Sequence, residues 1–251
     1  DKPLSKVILI VDEAHNLPET AVEIASDTLT VFAMRQAQLE AERFRRDGIA
    51  DFASKLHALI EKLAAEVEKE SYVRPQLLID SLSKKTGIDD PEAFFEEMHE
   101  TGNMIKQHLL AQGKYPRSYV HRMGEFLSLW LETADDVSYT HILSRYVAMT
   151  GSPSAKLEVV ALDPSKVTEP VFSSVYCSVN MSGTLQPLQS YVRMTHLPAS
   201  TVCEAVPSPF PKEHILSLAC CGVTTAMEQR TPTMYMKLVK RIVEVVDNTP
   251  A

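Results

Sequence analysis

The stretch VILIVDEAHN, residues 7–16, places five apolar residues directly before two carboxylates. A short apolar run without polar alternation is typical of a strand that is buried on both faces of a parallel sheet. In open parallel sheets, ligands bind at the carboxyl ends of the strands, where Asp12 and Glu13 would lie. The pattern therefore predicts an α/β fold with a candidate site at these two acids. The alternative is a solvated strand end that leads into a turn.

The amino-acid composition is that of an ordinary globular protein with an excess of acidic residues. Of 251 residues, 45% are hydrophobic, and the formal net charge is -8 at pH 7. This charge argues against capture of nucleic acid by the whole surface, although a local basic stripe stays compatible with it. No apolar run is long enough to span a bilayer, and the first residues do not resemble a signal peptide. We therefore expect no membrane partner.

The four cysteines, Cys177, Cys203, Cys220 and Cys221, lack the spacing of a metal site. We expect free thiols in a reducing compartment, packed as small hydrophobic side chains. The histidines form no i, i+4 pair beside a carboxylate, so a zinc site is not expected. The predicted location is cytoplasmic. The modest length of the helical block predicted for residues 20–140 favours a prokaryotic source, and a eukaryotic protein would be nuclear.

Helical spacing dominates residues 20–140, where strand signals are absent. Asn16 as a capping amide, Pro18 in the first turn and Glu19 near the positive end of the helix dipole predict a helix start. Apolar residues at a period of 3.6 then predict a bundle of four to six helices. A helical block that sheet elements bracket indicates an insertion into an α/β domain.

Strand patterns return after this block, at residues 146–149 and 157–162 around a hairpin-like turn, and at residues 175–181. The third pattern ends in Ser182-Gly183-Thr184. A Pro-rich connection, residues 207–211, follows, then a predicted strand at residues 214–221 and an amphipathic helix at residues 234–246.

The tetrapeptide Asp12-Glu13-Ala14-His15 is more specific than an apolar run that ends in acids. An apolar strand that positions an aspartate for Mg²⁺, with a second acid for the attacking water, is the Walker B arrangement. The tetrapeptide is the DEAH box of superfamily-two helicases, and VDEAHNLPE resembles motif II of XPD-type iron–sulphur DNA helicases. The stretch MSGTLQP, residues 181–187, resembles motif III of that family, and Leu162-Asp163-Pro164 also fits.

The resemblance covers essentially the whole chain and implies its architecture. It implies an α/β fold: a partial RecA-like (P-loop NTPase-type) parallel sheet with a large inserted helical arch domain. Residues 1–23 would be the C-terminal part of the first motor domain and residues 24–143 the arch. Residues 144–199 would return to the first motor domain, and residues 200–251 would start the second.

The resemblance also implies roles for the residues of the two motifs. Asp12 would bind Mg²⁺ together with Glu13, and Glu13 would be the general base for ATP hydrolysis. His15 would couple the γ-phosphate to the motor. Ser182 and Thr184 would transmit the nucleotide state, and Gly183 would allow a tight turn. Taken alone, Ser182-Gly183-Thr184 is more typical of an ordinary turn.

The implied activity is ATP-dependent 5′→3′ movement on single-stranded DNA, in nucleotide excision repair. The sequence contains no GxxxxGK[ST] pattern, so we expect an internal piece of a longer helicase that hydrolyses no ATP alone. The implied cofactors are Mg²⁺ and ATP. A 4Fe-4S cluster is expected in the full-length protein, ligated outside this segment. Two alternatives stay open: a non-enzymatic helical platform that docks partners, and a damage-response or nuclease-linked helicase of the same family.

Basic residues in the helical block are candidates for a path along single-stranded DNA, and the arch is a candidate for docking repair-complex proteins. The candidate DNA contacts are Arg43, Arg46, Lys114, Arg117 and Arg122. Their alternative is a solvated helix face, because acids lie close by in the sequence. Tyr115 and Tyr119 are candidates for stacking on bases, whereas Trp130 lies on an apolar stripe and is predicted to be core.

Overall fold

The structure is a computed structural model that describes residues 3–211 and 217–249. The chain divides into two compact units, Asp1–Cys203 and Glu204–Ala251. The first unit contains both motifs, two sheets and most of the helices, and the described part of the second contains one long α-helix.

The first strand, β1, spans Ile8–Val11, and it pairs in parallel with the last strand, β6, Cys177–Asn180. Both predicted strands are thus confirmed, and so is a parallel sheet. Burial of β1 on both faces is wrong, because Ile8 is 60% and Ile10 63% exposed. Only β6 flanks β1 in the described residues, so the face that carries Ile8 and Ile10 stays in contact with solvent.

Three short helices accompany this sheet: α1 at Leu17–Ala25, α7 at Ser165–Ser174 and α8 at Leu188–Met194. Pro18 lies in the first turn of α1, as predicted, with Glu19 beside it. Asn16 occupies the N-cap position, but its side chain makes no capping hydrogen bond. Its backbone is already helical, whereas an N-cap side chain needs an extended backbone to reach the second or third amide.

Five helices form the helical block: α2 at Val31–Arg43, α3 at Asp47–Ala65, α4 at Pro75–Thr86, α5 at Pro91–Ala111 and α6 at Tyr119–Glu132. This agrees with the predicted four to six. Side chains of Thr30, Asp90 and Ser118 accept hydrogen bonds from first-turn amides and so start α2, α5 and α6. Gly87, with φ 74°, ends α4 in the left-handed conformation.

An antiparallel sheet of four strands packs with these helices: β2 at Asp27–Thr30, β3 at Glu70–Tyr72, β4 at Tyr139–Val147 and β5 at Pro153–Ala161, in the order β2-β5-β4-β3. The predicted hairpin is confirmed as β4 and β5. The prediction that residues 20–140 lack strands is wrong for β2 and β3. Both are too short to show an alternating pattern, and β3 has no buried residue. β4 runs through the predicted domain limit at residues 143 and 144.

The core lies between α2–α6 and one face of this sheet. Trp130 is fully buried there, as predicted, with its ring centroid 5.7 Å from that of Phe126 and 4.7 Å from that of His141. The His141 ring lies 3.0 Å from the Thr133 hydroxyl. Burial lowers the pKa of His141, so its imidazole is neutral in the core.

The second unit contains α9 at Pro232–Asp247, which confirms the predicted amphipathic helix. Of the predicted strand at residues 214–221, residues 214–216 lie outside the described residues, and residues 217–221 form no strand. Burial of the cysteines is wrong for Cys177, Cys220 and Cys221, which are exposed, because the elements around them bury few side chains. In the described residues, no helix has the length and apolar character to cross a membrane.

Candidate functional site

Backbone hydrogen bonds bring the two motifs together at the carboxyl ends of β1 and β6. The Met181 amide donates to the Val11 carbonyl at 3.0 Å, and the Ala14 amide donates to the Met181 carbonyl at 3.0 Å. The parallel ladder thus extends beyond the strand ends. Ala14 is fully buried at this junction, which fixes the short 3-10 helix Ala14–Asn16 that follows Glu13.

Side chains from both motifs meet around the Ser182 hydroxyl. Ser182 Oγ lies 2.7 Å from His15 Nδ1 and 3.3 Å from Glu13 Oε2, and His15 Nδ1 lies 3.3 Å from the same carboxylate oxygen. The Thr184 amide donates to Ser182 Oγ at 3.2 Å. A hydroxyl that donates its proton to Glu13 keeps lone pairs for the His15 ring and the Thr184 amide. Ser182 is therefore the centre of the network.

Glu13 adopts a left-handed backbone, with φ 48° and ψ 41°. For a non-glycine residue this conformation costs roughly 1–2 kcal/mol and persists only where neighbouring contacts hold it. The Glu13 amide donates to Asp12 Oδ1 at 2.8 Å, and the next amide is held by Met181. These bonds turn the Glu13 side chain toward Ser182 while the side chain stays 65% exposed.

The ligand atoms at this end of the sheet fit Mg²⁺ better than a metal ion whose ligands all come from the protein. Asp12 and Glu13 offer carboxylate oxygens at an exposed position. Mg²⁺ commonly keeps several waters and takes one or two protein carboxylates together with phosphate oxygens. Within residues 3–211 and 217–249, no three His, Cys, Asp or Glu side chains are grouped to hold a metal ion. The described cysteines therefore do not fit an iron–sulphur cluster either.

Gly183 does not have the geometry that the sequence predicts. Ser182-Gly183-Thr184 does form a turn, yet Gly183 lacks a positive φ, and a Cβ built there meets no atom within 4 Å. The expected need for glycine is thus wrong, because an L-residue adopts this backbone without a clash. Ser182 and Thr184 carry the contacts of this turn, as the network above shows.

Tyr191 binds the end of β6, a contact that the sequence did not predict. Its hydroxyl donates to Asn180 Oδ1 at 3.0 Å, and the residue is buried. Burial raises the pKa of Tyr191 to about 12. Asn180 is the last residue of β6, directly before the motif, so this bond fixes the strand end. The sequence offers no signal for the pair, because a Tyr and an Asn at this separation form no known pattern.

Asp163 of Leu162-Asp163-Pro164 lies at the start of α7. Its Oδ1 accepts a hydrogen bond from the Ser165 amide at 2.9 Å. Hydrogen bonds from Ser165 lower the pKa of Asp163, which keeps the carboxylate charged at the positive end of the helix. Asp163 thus starts α7 and makes no bond with the network at Ser182.

The five basic candidates lie in the helical block. Arg43 stands over the Phe44 ring at 6.0 Å, and Arg46 approaches Met104 Sδ at 3.9 Å. Lys114 donates to Gln112, and Arg117 donates to the Tyr119 hydroxyl at 2.6 Å.

Arg122, the fifth candidate, differs from the other four because it forms an ion pair within the chain. Its guanidinium donates to both carboxylate oxygens of Asp27 and to the Thr28 carbonyl. This half-buried ion pair joins α6 to β2. The DNA contact of Arg122 stays a prediction, and in this structure its guanidinium is bound by Asp27 and Thr28.

Comparisons with known proteins agree with this architecture. A model of the family described as "Helical and beta-bridge domain" matches residues 37–248. Among solved structures, the chain is similar to one titled "XPD_Helicase", with 17% sequence identity and a TM-score of 0.51. That match covers 100% of this chain and 41% of the other chain. A second, "XPD_APO", is 16% identical with a TM-score of 0.53, and the match covers 100% of this chain and 46% of that one. The chain thus spans less than half of these proteins. At the level of the fold, the predicted XPD-type resemblance is confirmed, as is an α/β fold with a parallel sheet and a helical domain.

Proposed function

The chain belongs to the family of helical and beta-bridge domains, and from this premise we propose that it is a segment of an ATP-dependent DNA helicase. The proposed activity is 5′→3′ movement on single-stranded DNA, in nucleotide excision repair. Support comes from one observation above all: the DEAH box and the Ser182 turn, which are 167 residues apart, share one hydrogen-bonded network at the end of a parallel sheet.

Glu13 is the proposed general base. Its carboxylate accepts a hydrogen bond from Ser182 and lies at ion-pair distance from His15, so its direction is fixed at one oxygen. The exposed remainder of the side chain leaves the other oxygen free to accept a proton from a water. A rigid backbone at the strand end supplies the fixed geometry that attack on a phosphate requires.

Asp12 and Glu13 would hold the Mg²⁺ ion, which when bound neutralises phosphate charge on ATP. Asp12 Oδ1 already accepts from the Glu13 amide, which leaves its second oxygen as the ligand atom. The chain lacks the glycine-rich phosphate loop, and a pair of carboxylates does not replace its backbone N–H donors. We therefore expect no ATP hydrolysis by these 251 residues alone.

His15, Ser182 and Thr184 are the proposed coupling residues. His15 and the Thr184 amide both bind Ser182 Oγ, which also binds Glu13. A change in the charge or position of Glu13 during hydrolysis would therefore alter the bonds of the turn that follows β6. The proposed 4Fe-4S cluster and any repair-complex partner of the arch belong to the longer protein.

The decisive variant is Glu13→Gln in a protein that joins this chain to its phosphate loop. Removal of the general base lowers hydrolysis by about 10²- to 10⁴-fold while nucleotide binding persists. Glu19→Gln is the matched control, because Glu19 is an exposed acid six residues away in the first turn of α1. Equal hydrolysis by the two variants would refute the motor and favour a helical platform for partner proteins.

A further inference from the structure

The outward face of α2 is unusual because it combines exposed apolar side chains with arginines. Phe32, Arg35, Leu39 and Arg43 recur at helical spacing on this face, and all four are exposed. The opposite face buries Met34, Ala37 and Ala41. Phe32 is 59% exposed although the helix has a complete core face, so burial in this chain does not explain its phenyl ring.

The start of α6 continues this surface with a second aromatic residue and a further arginine. The Tyr119 ring meets the Phe32 ring edge-on, with centroids 6.2 Å apart. Arg117 stands over the Tyr119 ring at 4.8 Å. The exposed Tyr115 lies in the same turn, because its carbonyl accepts from the Arg117 amide at 2.9 Å. We call Phe32, Arg35, Tyr115, Arg117 and Tyr119 the α2–α6 patch.

Across the part of the chain that the structure describes, the patch arginines Arg35 and Arg117 form no ion pair, whereas Arg122, on α6, is paired with Asp27. The nearby Glu40 carboxylate is bound by the Ser118 hydroxyl and the Val120 amide. Lys114, three residues before Arg117, also donates only to a neutral amide. In a chain of net charge -8, this local excess of cations favours an anionic partner.

We propose that the α2–α6 patch binds single-stranded nucleic acid. The bases would stack on the exposed rings of Phe32 and Tyr115, and the phosphates would contact Arg35 and Arg117. Tyr119, which is partly buried, would hold Phe32 and Arg117 in place. Exposed aromatic rings between cations suit a single strand, because a duplex keeps the faces of its bases stacked inside. The proposal rests on the proposed function, for which single-stranded DNA is the substrate, and it locates a contact surface on the helical block.

The first test measures binding of a fluorescein-labelled 20-nucleotide oligo-dT to the 251-residue chain by fluorescence anisotropy at low salt. Phe32→Leu keeps apolar bulk but removes the ring, and it should weaken binding about tenfold. Phe32→Tyr keeps the ring and should bind as the unchanged chain does. Tyr72→Leu is the matched control, because Tyr72 is a similarly exposed aromatic residue on β3, 61% exposed.

The second test separates phosphate contacts from stacking. Arg117→Ala should lower the slope of log Kd against log salt by about 0.7, the amount expected for one phosphate contact of a single strand. Phe32→Leu should leave the slope unchanged. Lys62→Ala, an exposed cation on α3, should change neither the slope nor the affinity.

Two outcomes would overturn the proposal: no binding by the unchanged chain, or equal affinity of Phe32→Leu and Tyr72→Leu. An acidic polypeptide that binds the patch in place of the oligonucleotide would also overturn it and identify a protein partner instead. The tests need no nucleotide and leave Glu13 unchanged. Loss of hydrolysis in Glu13→Gln and loss of oligo-dT binding in Phe32→Leu therefore report on the two proposals separately.

Discussion

Two regions of the first unit differ in burial, and the proposed chemistry lies in the less buried one. The helix–sheet core, made of α2–α6 and strands β2–β5, buries Trp130, Phe95 and Phe126 almost completely. The motif sheet, β1 and β6 with the residues that follow each strand, instead exposes Ile8 and Ile10 and carries the network around Ser182. Apolar burial supplies most folding free energy, whereas a site for water and phosphate must stay accessible. We therefore expect core substitutions to act on stability and motif substitutions to act on activity.

The largest expected effect is that of Trp130→Ala. Removal of this fully buried ring should lower the free energy of unfolding by about 3–5 kcal/mol, because the surrounding aromatic side chains cannot fill the cavity. Ile10→Ala in the motif sheet should cost less than about 1 kcal/mol, because Ile10 is mostly exposed. Denaturant unfolding of both variants measures the difference. Equal losses would show that the motif sheet contributes to the core as much as α6 does.

A similar loss is expected where α5 and α6 approach most closely. A Cβ at Gly102 would lie 2.3 Å from His121 Cβ and 2.6 Å from its Cα, so Gly102→Ala must push the two helices apart. We expect a loss of about 3 kcal/mol. Gly48→Ala in α3 is the control, because a Cβ there meets nothing within 4 Å, and it should stabilise by about 0.5 kcal/mol. A Gly102→Ala variant that melts no lower than Gly48→Ala would contradict the close packing.

The motif sheet should respond to alkaline pH through Tyr191. Burial raises its pKa to about 12, above the ordinary value of about 10, so the folded state holds the phenol proton more tightly. The stability that this supplies is fully present below pH 10 and is lost as the pH rises through 12, about 3 kcal/mol in all.

Tyr191→Phe isolates this contribution from other groups that titrate at high pH. At pH 7 the variant should be about 1 kcal/mol less stable, because it lacks the hydrogen bond to Asn180. Between pH 10 and 12 it should lose less stability than the unchanged chain does. Parallel curves of unfolding free energy against pH would refute the buried phenol.

Several features of both regions could be predicted from the sequence, because each leaves a pattern within a short stretch of residues. The apolar run before Asp12 and the run before Ser182 predict β1 and β6, because strands with several apolar residues leave a clear pattern. The periodic stripe of α6 predicts that Trp130 is core. Through the family resemblance, the two motifs assign separate roles to Glu13 and Ser182, and the structure adds the hydrogen bond between them.

The remaining features depend on contacts that no local pattern encodes. β2 and β3 pair with strands far away in the sequence, and three or four residues are too few for a period. The exposure of Ile8 depends on which strands flank β1, and the sequence of one strand does not specify its neighbours. The ion pair of Arg122 with Asp27 joins residues 95 positions apart, so no local pattern shows that this guanidinium has a partner within the chain.

The smallest effect on stability and the sharpest test of the motif sheet is Ser182→Ala. The hydroxyl is not buried, so its loss should change the free energy of unfolding by less than about 0.5 kcal/mol. In a protein that joins this chain to its phosphate loop, the same loss leaves Glu13 and His15 without their shared partner. Hydrolysis stimulated by single-stranded DNA should then fall about tenfold, the value of one hydrogen bond to a charged group. Ser190→Ala in α8 serves as the control. Full stimulation of hydrolysis in Ser182→Ala would mean that the network only supports the strand ends. The proposal that the motif sheet carries the chemistry would then lose its best evidence.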